Sequence, residues 1–217
     1  MSSLYNFFKD RYFLFSVFTF FISVLLVHLT YIIFITPSAD YIIALSSSNS
    51  IAPPRTLSII LKDPEQEICI ILFVWSIFFS LYNFLKCEFE LSNIKNMTTE
   101  EYSKYFFKND SINNKYDFKN TVDSLFDVLQ MDVSFIKFIS WAIPSIGFLG
   151  TVRGIGDALG KANEAVSGDI TSMTASLGVA FNSTFIALLL SIFLMFIISR
   201  LELKQDELIF KLRSKLD

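Results

Sequence analysis

The 217-residue chain is strongly apolar: 53% of its residues are hydrophobic, 25 residues are Phe, and the mean hydropathy is +0.51. A soluble domain of this length does not need so much apolar surface, so the composition predicts a membrane protein. The net charge of −3 argues against a nucleic-acid-binding surface, and one His with two Cys are too few for a structural metal cluster.

Four apolar runs meet the length of roughly 20 residues that a membrane-spanning helix requires. They cover about residues 12–35, 68–85, 135–155 and 172–199, and we expect the first to end at Pro37. Because the first run is longer than the apolar part of a signal peptide, we expect it to be a retained anchor. The pattern predicts an all-α membrane protein with four transmembrane helices and both chain ends on one side.

The distribution of Lys and Arg predicts the orientation in the membrane. Residues 37–67 contain only two basic residues and the turn at 157–170 contains only one, whereas residues 87–136 contain five lysines. The C-terminal segment from Arg200 onward also contains five basic residues. Since cytoplasmic segments carry the excess of positive charge, we expect both termini in the cytoplasm.

These signals divide the chain into six parts. They are the cytoplasmic N-terminus with the first span (1–36), an extracytoplasmic loop (37–67), the second span (68–86), a cytoplasmic helical insert (87–134), a hairpin of the third and fourth spans (135–200) and a cytoplasmic amphipathic tail (201–217).

Local patterns add detail between the spans. The outer loop is expected to be irregular, with a short helix near Leu57–Leu61. In the insert, Thr98 and Glu101 form a capping-box pattern that favours a helix start. Apolar positions keep helical spacing from about Phe118, so the third spanning helix should begin well inside the cytoplasm. The tail should continue the fourth helix in the same way.

Small and hydroxyl residues recur on one face of each hairpin helix at 100° per residue. These residues are Ser140, Pro144, Gly147, Thr151, Gly154 and Ala158 with Gly150 at the edge, and, in the fourth span, Ser176, Ala180, Thr184, Ala187 and Ser191 with Ser183 beside them. Two interpretations are open. The stripes either pack closely against another helix, or they form an ion-path wall whose hydroxyl groups bind a passing ion weakly.

The candidate residues follow from these two interpretations. The candidates for lining an ion path are Thr151, Thr184, Ser183 and Ser191, and those for packing or a kink are Pro144, Gly147, Gly150, Gly154, Ala180 and Ala187. Arg153 and Asp157 are four residues apart and form a candidate ion pair at the outer mouth. Because no acidic residue lies in the middle of a predicted span, an ion-carrying carboxylate must come from a partner chain.

The hairpin resembles a known family. PSIGFLGTVRGIGDAL (144–159) is similar to the Pro-x-x-Gly-Leu-x-Gly-Thr-Val-x-Gly pattern of the MotA/TolQ/ExbB proton channel family, and AFNSTFIALLLSI (180–192) resembles the segment that follows it there. The resemblance implies a homopentamer around a dimer of a single-span partner like MotB, TolR or ExbD, whose membrane aspartate carries the ion. It also implies that Thr151 and Thr184 face the lumen, that Pro144 kinks its helix, and that the three glycines pack closely.

With this resemblance, the chain is expected to be the pore-forming subunit of a proton- or sodium-driven rotary motor in a bacterial inner membrane, without a cofactor. The alternative is a four-helix membrane scaffold or receptor-like module that conducts no ions. An enzyme is disfavoured, because no Ser/His set, carboxylate pair or metal-ligand set lies at membrane depth. The choice between H⁺ and Na⁺ stays open. So does the driven load, with flagellar rotation, outer-membrane energisation, gliding and phage defence as the candidates.

Overall fold

The computed structural model describes residues 2–48, 54–96, 115–168 and 170–214. Regular structure in these ranges is helical throughout. The elements are α1 (Ser2–Thr30), a π-helical turn (Tyr31–Ile35), α2 (Thr36–Ser48), α3 (Leu57–Leu61), α4 (Pro64–Asn96), α5 (Lys115–Gly160), α6 (Ala162–Val166) and α7 (Thr171–Arg213).

Four helical segments of the described chain are long and apolar enough to cross a membrane. They are Leu14–Ser46, Pro64–Ser92, Leu125–Gly160 and Thr171–Arg213. This confirms the prediction of an all-α membrane protein with four spanning helices.

The first span continues past Pro37, so the prediction that this residue ends it is wrong. The helix widens into the π-helical turn at Tyr31–Ile35, where the N–H of Thr36 bonds to the carbonyl group five residues before it. From there α2 runs on to Ser48. An interior proline lacks the N–H that would bond to the carbonyl group four residues earlier, and its ring crowds that carbonyl group. The π-helical turn directly ahead of Pro37 lets the helix absorb the misfit.

The start of α4 is encoded by its first residues. Asp63 precedes Pro64, and the backbone N–H groups of Gln66 and Glu67 donate to the Asp63 carbonyl at 3.1 and 3.3 Å. Aspartate is a favoured residue ahead of a helix, and proline fits its first position. Glu65 and Glu67 in the first turn complement the helix dipole. These signals start α4 ahead of the apolar run, and they place both glutamates on the helix rather than in the outer loop.

Two helices are far longer than a membrane span needs: α5 has 46 residues and α7 has 43. α5 runs from Lys115 through Pro144 to Gly160, which confirms that the third spanning helix begins well ahead of its apolar run. α7 continues through the amphipathic tail to Arg213, as its spacing predicts.

Further predictions concern features other than the spans. α3 covers Leu57–Leu61, which confirms the short helix expected in the outer loop. Cys69 and Cys87 are both buried and free, in line with their wide separation along one helix. The capping box at Thr98 and Glu101 lies outside the described residues.

The chain forms two compact units: unit 1 is Met1–Ser76 with Ile139–Leu194, and unit 2 is Ile77–Phe138 with Met195–Asp217. Unit 2 has an apolar core and charge pairs on its surface. Its apolar core contains Cys87, Leu91, Val122, Leu129, Leu208, Ile209 and Leu212. Its helices also pair charges at the surface: Lys137 with Glu202 (2.5 Å), Lys204 with Glu88 (2.5 Å) and Arg213 with Asp123 (2.9 Å).

Unit 1 contains parts of all four spanning helices, and specific contacts join them. α1 meets α4 at Trp75, whose indole N–H donates to the Ser16 carbonyl at 3.1 Å. The same indole lies edge-on to the ring of Phe20, with the ring centroids 4.9 Å apart. α4 meets α5 where the Cys69 thiol lies 3.5 Å from the Ile143 carbonyl. These contacts fix α4 against the third span, which positions the candidate site.

Candidate functional site

α5 and α7 approach each other along three glycines that leave no room for a side chain. A Cβ atom added at each would overlap a residue of α7: Ala187 for Gly147, Ser183 for Gly150 and Ala180 for Gly154. At Gly150 and Gly154 the added atom would lie only 2.6 and 2.8 Å from the nearest Cβ. Small residues allow such close approach of membrane helices. The structure therefore brings the predicted packing glycines and alanines together within one hairpin.

The two threonines predicted to line an ion path face each other across this contact. The hydroxyl groups of Thr151 and Thr184 are hydrogen-bonded to each other. Thr151 Oγ1 also lies 3.0 Å from the Ala180 carbonyl oxygen and 3.3 Å from the Gly147 carbonyl oxygen. Thr184 Oγ1 lies 3.2 Å from the same Gly147 oxygen. We call Thr151 and Thr184 the threonine pair.

The threonine pair has more acceptor groups than protons. Four oxygen–oxygen contacts meet there, but each hydroxyl group supplies one proton. At most two contacts are therefore hydrogen-bonded at any moment, and lone pairs remain available. A neutral, oxygen-rich site of this kind suits a proton or a small cation better than an anion, and it binds without a fixed charge.

Exposure separates the predicted hydroxyl residues into two groups. The threonine pair is half-buried within the chain, whereas Ser183 and Ser191 are buried. Ser183 donates to the Val179 carbonyl at 3.1 Å and accepts from Gln66 Nε2 at 3.3 Å, so α4 covers it. Of the four predicted path residues, the structure leaves the threonine pair partly open and encloses the two serines.

A group of charged and polar side chains lies beside the threonine pair, where the first turn of α4 packs against the hairpin. We call Asp63, Glu65, Gln66 and Arg153 the α4 cluster. Arg153 forms a two-pronged ion pair with Glu65, at 2.7 Å from Nε to Oε1 and 2.8 Å from Nη2 to Oε2. Its Nη2 also lies 3.8 Å from Asp63 Oδ1. The structure does not bring Arg153 and Asp157, the predicted candidate pair, into an ion pair.

The α4 cluster links three helices at the level of the threonine pair. Glu65 lies against Gly150, since its Cγ is 3.2 Å from the place where a Cβ of that residue would be. Gln66, only 1% exposed, reaches Ser183 on α7. On the other side of α4, Glu67 Oε1 is hydrogen-bonded to His28 Nδ1 of α1 at 2.6 Å.

Charge in the α4 cluster is only partly compensated. Burial raises the pKa of the Asp63 carboxyl group above its usual value, and the positive charges of Lys62 and Arg153 oppose this only in part. The Asp63 Oδ2 atom is buried and makes no hydrogen bond within the described residues. Among all the described residues, no group of three or more His, Cys, Asp or Glu side chains is placed to hold a metal ion.

The sequence-based division misses the contribution of α4 to this site. It assigns Glu65 and Gln66 to the outer loop at 37–67, because charged residues interrupt the apolar run that marks the second span. The signal that locates them on the helix is the Asp63–Pro64 start followed by acidic residues. Their contacts with the hairpin come from residues distant in sequence and leave no local pattern.

The MotA/TolQ/ExbB proton channel family matches the chain over residues 93–214, more than half of its length. The matched segment includes α5 and α7, and hence the glycines and the threonine pair. No curated protein and no solved structure matches the chain significantly. The start of α4, with Glu65 and Gln66, precedes the matched segment.

Proposed function

The chain belongs to the MotA/TolQ/ExbB proton channel family, and we propose that it is the pore-forming subunit of an ion-driven rotary motor in a bacterial inner membrane. In the proposed complex, five copies surround a dimer of a single-span partner like MotB, TolR or ExbD. The partner supplies the membrane aspartate that carries a proton or a sodium ion, and both termini of this chain lie in the cytoplasm. Ion flow then turns one ring relative to the other.

The threonine pair carries this proposal. An ion path must bind its ion weakly enough to release it, and hydroxyl and carbonyl oxygens do so without a fixed charge. Thr151 and Thr184 are half-buried, so part of each residue lies on the surface of the hairpin, where a partner helix can reach it. A partner carboxylate that docks there meets two hydroxyl groups that both donate and accept.

The glycine contacts support the same function by fixing the geometry. Gly147 and Gly154 lie four residues before and three after Thr151, and both contact α7 without a side chain. The two hairpin helices are thereby held at one separation on either side of the threonine pair. A site that must meet a partner carboxylate repeatedly benefits from such preorganisation.

One observation favours the second candidate, a four-helix membrane scaffold without ion conduction. Most of the small-residue stripe is used for packing inside the hairpin, and Ser183 and Ser191 are buried there. If the threonine pair only joined the two helices, its hydroxyl groups would stabilise the hairpin and have no effect on ion flow.

The Thr184→Val variant separates the two candidates, because valine keeps the shape of threonine and removes its hydroxyl group. The complex of this chain with its single-span partner is reconstituted in proteoliposomes, and proton uptake is followed with a pH-sensitive dye and sodium uptake with ²²Na⁺. We expect Thr184→Val to abolish uptake of the transported ion, while native mass spectrometry still finds five copies with two partner chains.

Thr174→Val is the matched control for this experiment. It makes the same change on the same helix, but Thr174 is exposed, and its hydroxyl group donates to the carbonyl groups of Ile170 and Thr171 within its own helical turn. This control should conduct like the wild type. Unchanged uptake in Thr184→Val would show that the threonine pair only joins the two helices. A wild-type complex that takes up neither ion would support the scaffold, and a stoichiometry other than five would contradict the proposed motor.

A further inference from the structure

A positive charge lies close to the proposed cation path. Arg153 follows Thr151 by two residues, which places the two side chains on opposite faces of a helix about 10 Å wide. Their polar groups are therefore on the order of 10 Å apart. At that distance, and with an effective dielectric constant of about 20, one uncompensated unit charge changes the occupancy of a cation on the order of tenfold. A cation path beside Arg153 needs a compensating negative charge.

Glu65 supplies that charge in a fixed geometry. Its carboxylate accepts two parallel hydrogen bonds from Arg153, at 2.7 and 2.8 Å, and such two-pronged pairs hold both partners in one orientation. The Glu65 side chain is only 15% exposed, against 42% for Arg153. Its stem fits against α5 because residue 150 is a glycine. Asp63, at 3.8 Å from Arg153, adds a second carboxylate on the same side.

We propose that Glu65 is a positioning residue of the ion path: through its ion pair it cancels the charge of Arg153 and keeps the approach to the threonine pair open to a cation. The inference rests on the proposed function. It assigns an electrostatic role in ion conduction to the start of α4, which lies ahead of the segment matched by the family. The competing explanation is a purely mechanical link between α4 and α5.

Charge compensation by Glu65 and a purely mechanical link between α4 and α5 predict different ion uptake for three variants in the reconstituted complex. If charge matters, Glu65→Gln leaves Arg153 with only the more distant carboxylate of Asp63. It then lowers uptake of the transported cation, at most on the order of tenfold at low ionic strength. Arg153→Gln removes the positive charge and raises uptake above that of the wild type. The double variant carries neither charge and conducts better than Glu65→Gln alone. A purely mechanical link is broken in all three variants, so uptake would fall in all three.

Salt provides a readout that a mechanical role would not change. In half-molar choline chloride the Debye length is only a few ångströms, so the exposed Arg153 charge is screened and the deficit of Glu65→Gln shrinks. Glu65→Asp keeps the charge on a shorter stem and should recover part of the uptake. Thermal unfolding and native mass of each variant report whether it is assembled. If Glu65→Gln does not assemble, the uptake of Arg153→Gln distinguishes the two explanations. An increase over the wild type supports the charge effect, and a decrease supports the mechanical link.

The inference is overturned if Glu65→Gln conducts like the wild type, if its deficit is insensitive to salt, or if Arg153→Gln conducts no better than the wild type. These outcomes leave the proposed function intact as long as the wild-type complex conducts and Thr184→Val does not. A wild-type complex that conducts no ion overturns both.

Discussion

The Gly154→Ala substitution tests how closely the two hairpin helices are packed. Its Cβ would lie 2.8 Å from both the Cβ and the backbone nitrogen of Ala180, and 2.9 Å from the Cα of that residue. A backbone cannot swing aside as the end of a side chain can, so α5 and α7 must separate. Overpacking of this kind costs about 1–3 kcal/mol. Alanine returns about 1 kcal/mol through its higher helix propensity, so the net loss is about 0–2 kcal/mol.

Gly156→Ala is the matched control, because a Cβ there meets nothing within 4 Å. It gains the same helix propensity without the clash, so the difference between the two variants isolates the contact, at about 1–3 kcal/mol. For a chain of this length each kcal/mol corresponds to about 2–4 °C in Tm. In thermal unfolding in one detergent, Gly154→Ala should therefore unfold on the order of 5 °C below Gly156→Ala. Equal Tm values would refute the close approach at Ala180.

Two further predictions test the orientation and the α4 cluster. Val166→Cys (89% exposed) should react with a membrane-impermeant maleimide in intact spheroplasts, and Phe210→Cys (73% exposed) only in inverted vesicles; the opposite pattern would contradict the predicted cytoplasmic termini. Asp63→Asn should raise the free energy of unfolding at pH 7, because burial raises the pKa of Asp63 in the folded state and its ionised form therefore costs stability. Asparagine still favours the helix start. This gain in stability should disappear below about pH 3.8, where the Asp63 carboxyl group is protonated in both the folded and the unfolded state. Denaturation curves at pH 7 and below pH 3.8 measure the gain. A gain that persists in acid would contradict the explanation by the Asp63 charge.

The spanning helices could be predicted because their signals are local. An apolar run of about 20 residues and a 3.6-residue spacing are properties of one segment, and they located the long α5 and α7 correctly. The prediction that Pro37 ends the first spanning helix was wrong, because it considered the proline alone and not the conformation of the residues ahead of it. A helix can continue through a proline where a wider turn ahead of it relieves the clash of its ring. The π-helical turn at Tyr31–Ile35 is the result, and no residue pattern marks it.

The site could be predicted only in part, because a helical projection shows which residues share a face and not what that face contacts. It places Thr151 and Thr184 on the two small-residue stripes, and the structure joins them. Ser183 is rotated by about 100° from Thr184, and this turns it toward Gln66 of α4.

Arg153 shows why the charges at the site were harder to predict. The i,i+4 spacing rule applies to residues of a single helix and therefore predicts Asp157 as the partner of Arg153. A carboxylate from a second helix accepts two parallel bonds from a guanidinium, which a partner one turn along the same helix does not do here. The partner is Glu65, 88 residues earlier in the chain. Such a pairing is decided by packing.

The start of α4 is therefore more than an anchor for the matched segment. The family match begins at residue 93, yet Glu65 and Gln66 contact α5 and α7 at the level of the threonine pair. A chain reduced to the matched segment would leave Arg153 without the carboxylates of Glu65 and Asp63. It would also leave the buried Ser183 without its donor. The residues ahead of the family segment are thus required for the local charge balance on which conduction through the hairpin depends in the proposed function.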